Sequence, residues 1–236
     1  MATTFVLLPT FERPSLVSDQ VGRITEALEG LSYRIVIIDA GRRVHVKLNA
    51  RSDRVSIVSC RPSKLWNQQL RRGVDHVFRF IEPEDQIVLL NDDVAYDPQS
   101  LRTLQQSQRE NPRKIIAGIR QGSRVPTGET DGLLPAKELT ARFTIYPAPV
   151  MVANLASTLL APHHAADLIL SLKLRNAGLE LARNPMCTFW DLLPPSTQPG
   201  QQIRLHERMK RKSAGYLPAM AYLEFLRAYY RRSEIT

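Results

Sequence analysis

A chain of 236 residues, 43% hydrophobic and 23% charged, is long enough to bury one core, and a single domain is the default expectation. No run approaches the ~20 consecutive apolar residues of a membrane-spanning helix, and no basic stretch precedes the short apolar run near the start, so a cytoplasmic protein is expected. The net charge of +9 favours an anionic partner, and Cys60 and Cys187, far apart and without further ligands at metal spacing, argue against a disulfide framework or a zinc site.

In chain order, Phe5 to Leu8 is an apolar run closed by Pro9, which predicts a buried strand. Val17, Val21, Ile24 and Leu28 follow at spacings of four, three and four, one face of a helix, and Gly30 supplies its stop. Ile35 to Ile38 is a β-branched run ending in the turn residues Asp39-Ala40-Gly41. The pattern then repeats, with a strand at Val55 to Val58, a helix face at Leu70, Val74, Val77 and Ile81, and a strand at Ile87 to Leu90. Runs this apolar suit a mainly parallel sheet with helices on both faces, a doubly wound α/β fold.

Asp97-Pro98 starts a helix, with Asp as cap and Pro at the first helical position, and Ile115 to Ile119 reads as a further strand. Gln121 to Glu138, polar and carrying Gly122, Gly128, Gly132, Pro126 and Pro135, reads as a long loop of the kind that often serves function. Beyond it, Val150 to Ala153 reads as a strand, Ala165 to Asn176 as a helix closed by Gly178, and Leu179 to Ala182 as a short strand. Gln201 to Arg232 reads as a basic, Tyr-rich helical tail. The Arg42-Arg43 and Arg71-Arg72 pairs and the run Arg204 to Lys212 are read as solvated faces.

Ligands of an open α/β sheet bind outside the carboxyl ends of the strands, which directs attention to Pro9 to Pro14, Asp39 and Asn91-Asp92-Asp93. No glycine occurs between Met1 and Gln20, so the glycine fingerprint for NAD or FAD is missing. Adjacent carboxylates such as Asp92 and Asp93 repel by ~1 kcal/mol in water at ~4 Å, and by more in a cleft, unless a cation compensates. Mn2+ or Mg2+ suits such a sparse oxygen site, which a nucleotide diphosphate would complete. If strand geometry continued through the turn, Asn91 and Asp93 would face one way and Asp92 the other, making Asp93 the better metal ligand. The same three residues are equally consistent with a turn ahead of Asp97-Pro98.

Four motifs in this order resemble the family 2 glycosyltransferases, which have the glycosyltransferase A fold. They are Pro9-Thr10-Phe11-Glu12-Arg13-Pro14 after the first strand, Ile37-Ile38-Asp39-Ala40-Gly41 after the second, Trp66-Asn67 opening a helix with Gly73 further along, and Leu90-Asn91-Asp92-Asp93-Val94. The resemblance is good over residues 4 to 96 and weak beyond. It implies metal-dependent transfer of a sugar from a nucleotide-diphosphate sugar to a hydroxyl of a glycan, lipid-linked or protein acceptor, with inversion. Thr10, Phe11 and Glu12 would line the base and ribose pocket together with Asn67, Asp39 would accept from the base, and Asn91 and Asp92 would support the donor around the metal at Asp93. Residues 1–96 would form the donor half, 97–200 the acceptor half and 201–236 the tail.

The family's general base lies in a Glu-Asp pair opening a helix, matched by Ala166-Asp167 without the Glu, so Asp167 is the candidate, with Glu129 and Asp131 in reserve. A late His that often completes the metal site is missing from Cys187-Thr188-Phe189-Trp190-Asp191, which leaves Asp191 or His206 as substitutes. His163 and His164 read as helix-start residues. Contact of the basic tail with a membrane surface is a further expectation, and nucleic acid is not an expected partner. Two competing readings are a sugar nucleotidyltransferase, which should carry a Gly-rich basic first loop, and a catalytically inactive binding protein.

Overall fold

Successive residues of a buried strand point to opposite faces, and here that alternation divides one sheet between two cores. The computed structural model describes residues 2–41, 53–61, 66–123, 132–155 and 166–192. The elements are β1 (Thr4–Thr10), α1 (Pro14–Ala27), β2 (Tyr33–Asp39), β3 (Val55–Ser59), α2 (Trp66–Val77), β4 (Gln86–Leu90), β5 (Val94–Tyr96), α3 (Pro98–Glu110), β6 (Lys114–Arg120), β7 (Leu134–Pro135), β8 (Phe143–Pro147), α4 (Ala148–Leu155), α5 (Ala166–Asn176) and β9 (Glu180–Asp191). Phe5, Leu7, Val36, Ile38, Ile87 and Leu89 face α2, α4 and α5, while Val6, Leu8, Ile35, Ile37, Val88 and Leu90 face α1 and α3. Helices therefore cover both faces, as the apolar runs predict.

The strand order among the described residues is β3-β2-β1-β4-β8-β6-β9-β5, with β7 paired to β9. β1 to β4, β6 and β9 run one way, and β5, β7 and β8 run against them. The mainly parallel α/β sheet is thus present. The predicted helix faces are present too, with Val17, Ile24 and Leu28 buried on α1, and Leu70, Val74 and Val77 buried on α2. Gly30 and Gly178 follow their helices at positive φ, 78° and 87°, where a side chain would be strained. Asp97 caps α3, its carboxylate accepting from Gln99 N at 2.8 Å.

Several assignments differ from the sequence reading. Val150 to Ala153 belongs to helix α4, not a strand. A short apolar run carries no period that separates a strand from a buried helix turn, and here Pro149 stands early in the helix, where its missing N–H is harmless. The strand that does lie there is β8, which enters antiparallel between β4 and β6 and has no counterpart among the predicted elements. The short strand predicted at Leu179 to Ala182 is the beginning of the twelve-residue β9, whose parallel pairing with β6 shifts register between Ala117 and Ile119. Pro185 lies in the unpaired stretch, as expected of a residue with no N–H to give the ladder. Leu134 and Pro135, inside the predicted long loop, pair with β9, while 124–131 lie outside the described residues.

No described helix is long and apolar enough to cross a membrane. Arg42, Arg43, Glu129, Asp131, His163, His164, His206 and the predicted tail lie outside the described residues.

Candidate functional site

The strand order reverses between β1 and β4, since the chain leaves β1 toward β2 and β3 and returns on its other side. At such a point the loops beyond adjacent strands diverge and open a crevice. Thr10 ends β1, and Asn91 to Asp93 follow β4. Thr10 Oγ1 donates to Asp92 Oδ2 at 2.7 Å, and Arg13 Nη1 donates to Asp92 Oδ1 at 2.9 Å. The same Nη1 stands 3.3 Å from Asp93 Oδ2. Strand alternation does not continue through these residues, because Asp92 and Asp93 form a turn, and the turn brings both carboxylates onto one guanidinium.

Asp92 is buried, and burial is the largest influence on it, pushing its carboxyl up to about 6. The Arg13 charge and the Thr10 hydrogen bond oppose that rise, and the neighbouring charge of Asp93 adds to it. Asp92 therefore serves as a brace between two loops, with both oxygens engaged.

The β1–α1 loop is held against the end of β2. Thr10 pairs with Asp39, Ala40 N donates to Thr10 O at 3.1 Å, and Asp39 Oδ1 accepts from Gly41 N at 2.7 Å. Asp39 is fully buried, Glu12 is half-buried, and Phe11 is exposed at 38%. Glu12 adopts φ 53°, a left-handed conformation that a long side chain rarely takes, and such strain persists only where surrounding contacts enforce it. One of those contacts comes from Gly41, where a Cβ would lie 2.8 Å from both the backbone N and Cγ of Glu12. Gly41→Ala is accordingly expected to push the Glu12 turn away from β2. It should lower the thermal midpoint by an amount corresponding to roughly 1–3 kcal/mol of overpacking.

A divalent cation needs an oxygen that the protein has not already used. Asp93 Oδ1 is buried and has no hydrogen-bond partner among the described residues. A buried acceptor left unmade is costly, so this atom suits a cation ligand whose remaining positions are taken by phosphate and water. No group of three or more His, Cys, Asp or Glu at metal spacing occurs among the described residues. Asp191, expected as a further ligand, is instead committed to two arginines, with Arg142 Nη1 donating to Oδ1 and Arg120 Nη2 paired with Oδ2. It ends β9 next to the turn, where Leu192 N donates to Asp93 O at 2.8 Å. The fit to a metal thus rests on Asp93 alone.

Asp167 stands in the first turn of α5 and accepts from Leu168 N at 2.9 Å and Ala141 N at 3.3 Å. Burial raises its carboxyl above the ordinary range, against the pull of those N–H groups and of the Arg142 charge. Arg142 O accepts from Asn91 N at 3.1 Å. The dipeptide Ala141-Arg142 therefore touches the Asn91 turn, Asp167 and Asp191. Asn67 lies in the first turn of α2, and its side chain is outside the described residues. Arg13, Arg120 and Arg142 were not singled out by sequence reasoning. Arg13 at least stands inside the Pro9 to Pro14 motif, whereas nothing local distinguishes the other two.

A groove of about 430 Å³, lined by Ser107, Glu110, Asn111, Lys114 and Asn184, opens at the amino end of β6, the edge opposite these loops.

No protein-family profile and no curated protein sequence matches the chain. Among solved structures, GalNAc-T7 with UDP, GalNAc and Mn2+ superposes with a TM-score of 0.62 at 11% identity, covering 81% of this chain and 44% of that one. TarS of S. aureus superposes with a TM-score of 0.56 at 13% identity, covering 83% of this chain and 37% of that one. The likeness identifies the glycosyltransferase A fold, and the chain spans less than half the length of either structure.

Proposed function

We propose that the chain is a glycosyltransferase that binds a nucleotide-diphosphate sugar with Mn2+ or Mg2+ and passes the sugar, with inversion, to an acceptor hydroxyl. The observation that carries this reading is Asp93 Oδ1, buried without a hydrogen-bond partner among the described residues, at the strand-order reversal of a fold shared with a UDP- and Mn2+-bound structure. Asp93 would hold the cation, whose chemistry is to stabilise the negative charge that develops on the departing diphosphate. Thr10 and Arg13 fix Asp92 and so set the turn that aims Asp93. Asp39 and Gly41 hold the Phe11-Glu12 turn over the end of β2, where Phe11, Glu12 and Asn67 would flank the base and ribose. Asp167, its proton affinity raised by burial, would take the proton from the acceptor hydroxyl.

The test is thermal unfolding with UDP, with and without Mn2+. A ligand at about 100 times its Kd adds about 2.7 kcal/mol to the stability of the folded state. For a chain of this length that raises the midpoint by roughly 5–10 °C, since each kcal/mol shifts it by about 2–4 °C. The rise should require the metal. Absence of any shift with all common nucleoside diphosphates and either cation overturns the proposal.

A second reading, donor binding without turnover, is favoured by Arg13, which already pairs with both carboxylates and offsets part of their charge without a metal. Slow release of free sugar from UDP-sugars in Mn2+ supports the transferase, and stabilisation without release supports the binding protein.

A further inference from the structure

Two cations around one carboxylate leave a positive charge over. Arg120, the last residue of β6, and Arg142, just before β8, both pair with Asp191, the last residue of β9. The Asp191 side chain is only 12% exposed, whereas those of Arg120 and Arg142 are 53% and 41% exposed. Asp191 is thus a largely buried anchor that holds two guanidinium groups at the surface. Among the described residues neither arginine forms a second ion pair, although the Arg142 charge also reaches Asp167.

The position of the pair matters as much as its charge. β6 runs parallel to β4, and Phe143 at the start of β8 pairs with Leu90 at the end of β4, so both arginines lie on the edge that carries Asp93. Asp191, which holds both guanidinium groups, pairs with Val94 directly after Asp93, and Arg142 follows Ala141, whose N donates to Asp167, so the two arginines stand beside the Asp93 turn on the side of Asp167. Guanidinium forks bind phosphate and carboxylate oxygens in parallel pairs of charge-assisted hydrogen bonds.

We propose that Arg120 and Arg142, braced by Asp191, form an oxyanion seat for the acceptor, so that the acceptor is an anionic glycan bearing phosphate or carboxylate groups. This rests on the transferase reading and adds the acceptor class to it. The seat is separate from the diphosphate seat at Asp93, and both are filled together during transfer.

Calorimetric titration of the full chain with glycerol 3-phosphate and with glucuronate, each with and without saturating UDP and Mn2+, tests it, with glycerol and glucose as neutral controls. One or both anions should bind in the presence of UDP while the neutral sugars do not, and the better anion tells phosphate from carboxylate. The double variant Arg120→Gln/Arg142→Gln should weaken anion binding at least about tenfold while the UDP thermal shift persists. Arg120→Gln alone, at the more exposed position, should weaken it several-fold and guards against a folding defect in the double variant. Asp191→Asn, which keeps an amide oxygen to accept from the arginines but removes the competing charge, should bind the anion more tightly than the parent, whereas a purely structural ion pair predicts no gain.

Equal anion affinity in the parent and Arg120→Gln, absence of anion binding, or its loss when UDP saturates the protein overturns the proposal. In the last case the anion was occupying the donor's own seat. Failure of the transferase reading shows separately, as a missing UDP shift beside intact anion binding.

Discussion

Asp93→Asn is expected to abolish the Mn2+-dependent part of the UDP thermal shift and to lower sugar release or transfer by about 10²–10³-fold, the usual scale for losing a group that stabilises transition-state charge. The change is nearly isosteric and leaves Thr10 and Arg13 bonded to Asp92, so the turn should survive. What disappears is the charge and the open oxygen Oδ1. The substitution relieves the repulsion between adjacent carboxylates but also gives up the 3.3 Å pairing of Asp93 with Arg13, so the unliganded variant should melt close to the parent. Circular dichroism melts with UDP, Mn2+ and both give the answer in one experiment. A metal-dependent shift of undiminished size in Asp93→Asn would place the cation elsewhere and remove the central support of the proposed function.

Asp167→Asn is expected to keep the UDP shift and to lower transfer by about 10²–10⁴-fold, the range assigned to a positioned general base. Because burial raises this carboxyl above its usual 3.8, the parent rate should climb with pH through the elevated value as the group loses its proton, then level off. The variant should lack that limb. Stability carries the opposite sign. The folded protein holds the proton more tightly than the unfolded chain, so the contribution of this group is present below 3.8 and lost as pH rises through the folded value. Asp167→Asn should remove this loss, which pH-dependent urea unfolding of parent and variant would reveal. A rate independent of Asp167 at every pH would assign the base to another group.

Part of the architecture is legible in short stretches of chain. Phe5 to Leu8, Ile35 to Ile38 and Ile87 to Leu90 are apolar on both faces, and that suffices to predict strands sandwiched between helices. Asp97-Pro98 and the two glycines after α1 and α5 mark helix ends through conformational preferences that act within a few residues. The location of the candidate site follows from the same source, since polar residues directly after buried strands must lie at the sheet edge, as Thr10, Asp39 and Asn91 to Asp93 do.

Placement within the sheet is another matter. Phe143 to Pro147 carries no signal that it must enter between β4 and β6 in the reverse direction, and the apolar character of Val150 to Met151 fits a helix turn as well as a strand. Nor does any local pattern join Arg13 to Asp92, 79 residues later, or Arg142 to Asp191, 49 residues later. Amphipathic period, turn preference and helix capping are interactions among near neighbours, so the sequence alone determined β1 to β4 and β6, the faces of α1 and α2, and the loops that follow those strands. Which carboxylates are neutralised, which oxygen is left open and where the surplus arginines gather depend on charges from distant segments meeting in space. Only the tertiary structure decided those.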